Sequence, residues 1–384
     1  MTGLPGGGPS GASVRYRDLA AFFARLGLTA FGGPAVHIAL MEATVVRERR
    51  WMPRERFLDL LGAANLIPGP SSTELAIYIG YDLGGPVGLL IAGICFILPA
   101  ALVTLAFAWA YVRFGALPHA AGLLAGMKPV IIAVLLQALF SLAKVAAKTW
   151  QLAALGAAAA AAALAGVSQL GILLAAGVLA LAARRRAPST GGTAAVLIPA
   201  VGIPAAATAA LQAPGLVGLF LVFAKTGAFL FGSGYVLLAF LRRDLVDRLH
   251  WLTEAQLLDA VAVGQITPGP VFTTATFIGY LLSGVPGAAA ATLGIFAPAF
   301  VLVAASGFIV PRLRRSAAAG AFLDGVNVAA LGLMAAVAWE LGRAALIAPW
   351  TIAVAAVSGV LLIRFRASPV WLLLAGAALG ILRG

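Results

Sequence analysis

Apolar residues in this chain run in long blocks separated by short polar stretches. The blocks lie at 19–46, 57–82, 84–112, 118–148, 151–165, 168–183, 194–212, 214–241, 255–282, 284–310, 317–347, 350–363 and 368–382. A helix needs on the order of 20 apolar residues to cross a bilayer, so the pattern predicts an all-α polytopic membrane protein with about thirteen crossings. The blocks 151–165, 350–363 and 368–382 are short for that, and predict tilted, paired or interfacial helices. The alanine-rich run 157–163 reads as a close-packing surface rather than a linker. The sharpest break is Arg184-Arg185-Arg186 followed by Ala-Pro-Ser-Thr-Gly-Gly, which is taken as the hinge between two halves.

The halves repeat. Adding 200 to a number in the first half lands on the same residue at Gly27/Gly227, Phe31/Phe231, Gly32/Gly232, Trp51/Trp251, Leu58-Asp59/Leu258-Asp259 and Pro68-Gly69-Pro70/Pro268-Gly269-Pro270. After a one-residue deletion the offset is 199, matching Ile79-Gly80-Tyr81 to Ile278-Gly279-Tyr280 and Pro99-Ala100 to Pro298-Ala299. The organisation predicted is a disordered tail over 1–18, a first transmembrane repeat over 19–186, a linker with an extra transmembrane segment over 187–213, and a second repeat over 214–384. Six crossings per half plus the extra segment at 194–212 turn the second half over, which predicts an inverted repeat. The loop with Arg47, Arg49, Arg50, Arg54 and Arg56 is the better cytoplasmic candidate, because the matching loop dilutes Arg242, Arg243 and Arg248 with Asp244 and Asp247. Arg184 to Arg186 also favour the cytoplasm, yet five segments separate them from Arg56. One segment therefore re-enters without crossing, and the proline-broken one is the first suspect.

Composition excludes other classes. The chain is 62% hydrophobic and 10% charged, with a mean hydropathy of +1.03. A water-soluble fold cannot bury that much apolar surface. The net charge of +13 alone would fit a nucleic-acid partner. The cations cluster at the ends of apolar blocks, as in membrane loops, and form no aromatic-interleaved basic surface. Cys95 is the one cysteine, so no disulfide framework or thiolate cluster can form. His37, His119 and His250 lack ligand spacing and read as ordinary polar residues; no cofactor or metal is expected.

Breaks within the apolar blocks carry the candidate chemistry. Proline inside a helix removes a hydrogen bond and clashes with the preceding turn. Pro68-Gly69-Pro70 and Pro268-Gly269-Pro270 should each split a segment into two half-helices, as should Gly32-Gly33-Pro34 and Gly232-Ser233-Gly234. Freed backbone groups at membrane depth are tolerated only in protein or beside a wet cavity, so four equivalent breaks predict one central site. A half-helix starting after the second proline presents unpaired N–H groups and a positive dipole end, which attract an anion. Ser71, Ser72 and Thr73 follow the first motif, and Thr273, Thr274 and Thr276 the second; Asn65 and Gln265 precede each by three residues. The alternative is that these hydroxyls and amides only cap the broken helices.

Ionisable residues at membrane depth are functional candidates by default. Arg25 and Lys225 match across the repeat and could hold an anion in one cavity, or snorkel to an interface. Lys128, aligned with Asn327, is a third polar ligand or a packing partner. Glu74 follows the first hydroxyl cluster and has no second-half counterpart. It is either a proton-coupling acid or the ion-pair partner of Arg25 or Lys225. Asp59 and Asp259 lie near loop ends and read as helix caps.

Phe31-Gly32-Gly33-Pro34 with His37, the Arg-rich loop ending in Trp51, Asn65-x-x-Pro68-Gly69-Pro70, Ile79-Gly80-Tyr81 and Phe96-x-x-Pro99 together resemble the signature of the chromate ion transporter family. The second-half series around Phe231-Gly232, Trp251, Gln265 to Pro270 and Gly279-Tyr280 resembles its second domain. The resemblance spans about residues 19 to 382 and implies a bacterial inner-membrane carrier that exports chromate, with sulfate as look-alike, driven by the proton-motive force. Its implied partners are chromate or sulfate, protons and the lipid bilayer, with a homodimer left open and no nucleic acid. Gly-Ser-Gly in place of Gly-Gly-Pro in the second half departs from the first-half motif. An intramembrane enzyme would need a nucleophile with its base or a metal pair, and no such pattern is present. A passive oxyanion channel, or a sulfate-type carrier of the same fold, would use the same cations and helix ends.

Overall fold

The computed structural model of the chain describes residues 14–31, 33–114, 118–186, 215–230 and 236–383. These residues form fourteen helices and no strand, seven helices in each half. In the first half they are α1 (Tyr16–Thr29), α2 (Pro34–Met41, continued by a π-helix over Glu42–Glu48), α3 (Arg54–Ala64), α4 (Ser71–Phe114), α5 (Pro118–Ala146), α6 (Trp150–Leu164) and α7 (Gln169–Arg186). The second half repeats the series: α8 (Leu216–Phe229), α9 (Leu237–Leu241, continued by a π-helix over Arg242–Arg248) and α10 (Glu254–Ile266) come first. A 3-10 turn (Val271–Thr273) then leads into α11 (Thr274–Arg315), followed by α12 (Ala317–Ala345), α13 (Pro349–Arg364) and α14 (Pro369–Arg383). Even the backbone outliers recur. Arg50 and His250 both have positive φ, and Gly85 and Gly284 share φ 60° and ψ −151°.

Helices α4 and α11 are hairpins. In a straight helix residues 80 and 92 would stand about 18 Å apart along the axis. Here a Cβ on Gly80 would overlap both the Gly88 carbonyl and the Ala92 methyl. The chain reverses at Gly84-Gly85, where the left-handed φ of Gly85 requires glycine, and Gly80 and Gly88 let the arms 71–83 and 86–114 touch. Gly279, Gly287 and Ala291 repeat the arrangement around Ser283-Gly284.

Two V-shaped pairs open toward one end of the first half. Arg56 at the start of α3 donates its Nε to Asp82 at 2.9 Å, at the end of arm 71–83, so this proline-broken segment enters and returns. Tyr16 at the start of α1 donates to the Gly84 carbonyl at 3.4 Å, while Glu42, on the continuation of α2, pairs with Arg54 at 3.4 Å. The tips of both pairs, at Ala30, Phe31 and Gly33 and at 65–70, lie at the other end. Blocks 19–46 and 57–82, each expected as one crossing, therefore each contain two helices that fold back on one another. Four long helical segments, the arm 86–114, α5, α6 and α7, lie between that folded-back pair and Arg184.

Among the described residues the helices Gly122–Lys144 and Ala318–Ala345 and the hairpin stretches Ser71–Phe114 and Val271–Ser306 are long and apolar enough to cross a membrane, with shorter apolar helices beside them. The protein is a multi-pass membrane protein. The halves interlock reciprocally: Gly126 on α5 abuts the Gly376 carbonyl on α14, and Gly325 on α12 abuts the Ala176 carbonyl on α7. Glycine at these points lets backbones approach, which is how helices associate when lipid supplies no hydrophobic drive. Arm 86–114 runs alongside 271–282, with the Thr104 hydroxyl donating to Thr273 at 3.2 Å and the Tyr111 ring 5.1 Å from Phe277. The extra crossing expected at 194–212 lies outside the described residues.

Candidate functional site

The tips of the folded-back pairs meet at the centre of the molecule. The Gly69 amide donates to the Leu230 carbonyl at 2.7 Å, and the Gly269 amide donates to the Ala30 carbonyl at 2.9 Å. Each Pro-Gly-Pro motif is thus bonded to the break after the first helix of the opposite half. Proline on both sides explains the geometry: it bars the helix from continuing and leaves the intervening glycine at φ 137° (Gly69) or 86° (Gly269), free to donate outward. Pro70, Pro268 and Pro270 are buried and Pro68 half-buried; Gly33, also buried and at φ 77°, starts α2.

The first-half tip carries polar groups with nowhere to go. Ser72, Thr73 and Glu74, in the first turn of α4, are all buried. Among the described residues the Thr73 hydroxyl and both carboxyl oxygens of Glu74 have no hydrogen-bond partner, and the Glu74 carboxyl fills the space where a Cβ on Gly69 would stand. A buried unsatisfied hydroxyl costs about 1–3 kcal/mol and an unpaired ionised carboxylate several kcal/mol. These groups lie at a helix N-terminus, the positive end of the α4 dipole, and the Thr73 and Glu74 amides there both bond the Pro70 carbonyl, at 2.7 and 3.0 Å. Glu74 pairs with neither Arg25 nor Lys225.

The second-half tip is satisfied internally. Thr273 donates to the Pro270 carbonyl at 2.9 Å and Thr274 to the Val271 carbonyl at 2.7 Å, so both hydroxyls bond their own backbone. Thr276 shares a 2.8 Å hydrogen bond with Thr292. Gln265 is half-buried, Asn65 exposed and Ser71 half-buried. Gly32, Gly232 and Ser233 lie outside the described residues.

The cations are placed differently from the expectation of a shared cavity. Arg25 is on the exposed face of α1, and Lys225 is bound to Asp244 by bonds of 2.9 and 2.6 Å. The π-helix of α9 supplies Asp244, a partner that helical spacing from the sequence does not reveal. Lys128 forms an ion pair with Asp259 at 3.2 Å, and Tyr111 donates to the same carboxylate at 3.0 Å. Asp259 therefore ties the halves together from the middle of α10 and does not cap it; Thr253 is the cap, in a capping box with Gln256.

His37 is a site residue that spacing did not reveal. It is buried at the first-half tip, with Nδ1 3.3 Å from the Ser72 hydroxyl and Nε2 3.2 Å from the Ala30 carbonyl that also receives Gly269. The available signal was its position, three residues beyond the Gly32-Gly33-Pro34 break, where about one helical turn returns a side chain to the tip.

A family model described as "Chromate transporter" matches the two halves separately, at residues 17–181 and 217–381. The chain belongs to the chromate transporter family. Among relatives of this transporter, the "Chromate transport protein" of Cupriavidus metallidurans is 34% identical over 372 residues, covering 94% of this chain and 92% of the relative. The "Probable chromate transport protein" of Synechococcus elongatus is 33% identical, covering 86% and 85%, and the "Chromate transport protein" of Pseudomonas aeruginosa 32%, covering 86% and 82%. No solved structure matches the chain.

Proposed function

We propose that this protein exports chromate across the bacterial inner membrane, that sulfate competes as a look-alike, and that the anion binds between the helix tips with Glu74 coupling its movement to protons. The observation that carries the reading is the buried, unpartnered set of Thr73 and Glu74 at the N-terminus of α4. A tetrahedral oxyanion would accept from the Thr73 hydroxyl at the positive end of the α4 dipole. An ionised Glu74 would repel it and a protonated Glu74 admit it, which links proton to anion.

Two features support an inverted arrangement of the halves. Arm 274–282 runs with arm 86–114 past Thr104 and Tyr111, and its hairpin reverses, so the equivalent long arms 86–114 and 285–315 run opposite ways. The surface charges reverse as well. Glu42 binds Arg47 and Arg54, whereas at the equivalent positions Arg242 binds Asp247 and Glu254. A swap of sign at fixed geometry fits two ends facing opposite sides of the membrane, with the Arg47 to Arg56 end cytoplasmic.

The test is uptake of labelled chromate into inverted vesicles, with and without an imposed pH gradient and with sulfate as competitor. Saturable uptake that the gradient stimulates and sulfate inhibits is expected. Non-saturable uptake indifferent to the gradient would instead mean a passive channel.

A further inference from the structure

We propose that His37 is a positioning residue that decides whether Ser72 donates a hydrogen bond to its own ring or to the anion, so that a proton on His37 strengthens chromate binding. The proposal rests on the tip site described above.

The ring is gripped on both sides, by the Ala30 carbonyl at 3.2 Å and the Ser72 hydroxyl at 3.3 Å. A carbonyl only accepts, so Nε2 carries hydrogen, and in the neutral ring Nδ1 accepts from Ser72. The single hydroxyl hydrogen of Ser72 is then committed to the ring. When Nδ1 takes up a proton, its N–H donates to the Ser72 oxygen, and the Ser72 hydrogen is released to point beside the neighbouring Thr73 hydroxyl, where the anion would accept it. When that proton leaves Nδ1, the hydroxyl turns back, and Ser72 keeps its own hydrogen throughout. The ring has little freedom to do otherwise, because Phe96 meets it edge-on at 5.3 Å.

The charges around the ring leave one candidate for direct influence. On α1, Arg17, Asp18 and Arg25 are exposed, as are Asp82 and Arg113 at the ends of the α4 arms. On the continuation of its own helix, Glu42 is held by Arg47 and Arg54, and Glu48 accepts from Thr44. Across the tips, Asp259 is occupied by Lys128. Glu74, two residues beyond Ser72, is buried and, among the described residues, has no ion-pair partner. The second half has Leu237 at the place of His37, so the device exists on one side of the duplicated site only.

The experiment measures half-saturation for chromate exchange in vesicles held at equal pH on both sides, across the range in which imidazole titrates. Chromate itself gains a proton in that range, so each variant is read as its ratio to the unsubstituted protein. His37→Gln can donate to Ala30 and accept from Ser72 but cannot gain a proton. It should bind roughly tenfold more weakly at acid pH, with the ratio returning to one at alkaline pH. Ser72→Ala, a small change that spares folding, should show the same pH-dependent ratio, and the double variant should be no worse than Ser72→Ala. A flat ratio for His37→Gln, or a pH-dependent ratio for it that Ser72→Ala does not share, would overturn the role of His37. Unchanged chromate affinity in both Ser72→Ala and Thr73→Ala would instead overturn the tip site itself.

Discussion

The Gly69 amide of the first half donates to the Leu230 carbonyl of the second at 2.7 Å, so a Pro-Gly-Pro tip is held by the opposite repeat. The glycine is doubly required, by its φ of 137° and by the Glu74 carboxyl beneath it. Gly69→Ala should therefore cost about 1–3 kcal/mol of backbone strain and displace Glu74. Thermal unfolding in detergent and chromate uptake should both fall; an alanine variant of normal stability and uptake would contradict this packing.

The hydroxyls of the two tips should separate in their effects. Among the described residues Thr73 has no partner, and Thr274 donates to Val271. Thr73→Ala should weaken chromate uptake, a hydrogen bond to a charged group being worth about 1.5–3 kcal/mol. Thr274→Ala should leave half-saturation near normal and lower stability by about 1 kcal/mol. Equal losses of affinity in both would show that the tips bind the anion symmetrically.

Lys128 and Asp259 join the halves through a largely buried pair. Lys128→Met alone leaves a carboxylate buried and should destabilise by about 3–5 kcal/mol, whereas adding Asp259→Asn should recover much of that loss. The unfolding midpoint in detergent checks this, and a double variant as unstable as the single one would argue against the pair.

The sign-reversed clusters should differ in strength. Side-chain exposure of 70% and 66% for Arg47 and Arg54 marks the first cluster as a surface one, worth about 0–1 kcal/mol per pair. Arg242 is only 13% exposed and also binds Glu340 at 2.6 Å. Glu42→Gln should leave membrane abundance unchanged, while Arg242→Gln should reduce it clearly. Quantitative immunoblotting of membranes normalised to total protein distinguishes the two.

Local backbone chemistry was legible in the sequence, and distant pairing was not. Pro68-Gly69-Pro70 and its repeat announced broken helices because proline forbids a continuous one, and the 200-residue offset announced the duplication. Gly84-Gly85 stood inside the apolar block 84–112 and was not read as a turn. The hairpin it makes depends on Gly80 meeting Gly88, a contact visible only once the arms are folded. Lys225 was misread because Asp244 reaches it from a π-helix, and Asp259 because its partners Lys128 and Tyr111 come from the other half. Charge partners across a membrane fold are set by tertiary packing, which single-chain periodicity does not encode.

The central claim is that Glu74 links chromate movement to protons. Its most direct test is Glu74→Gln in inverted vesicles, with chromate exchange and its stimulation by a pH gradient measured on the same preparation and normalised to protein amount. Gln keeps the shape of the side chain but cannot ionise, so exchange should persist while stimulation by the gradient disappears. A Glu74→Gln carrier that still responds fully to the gradient would contradict the account.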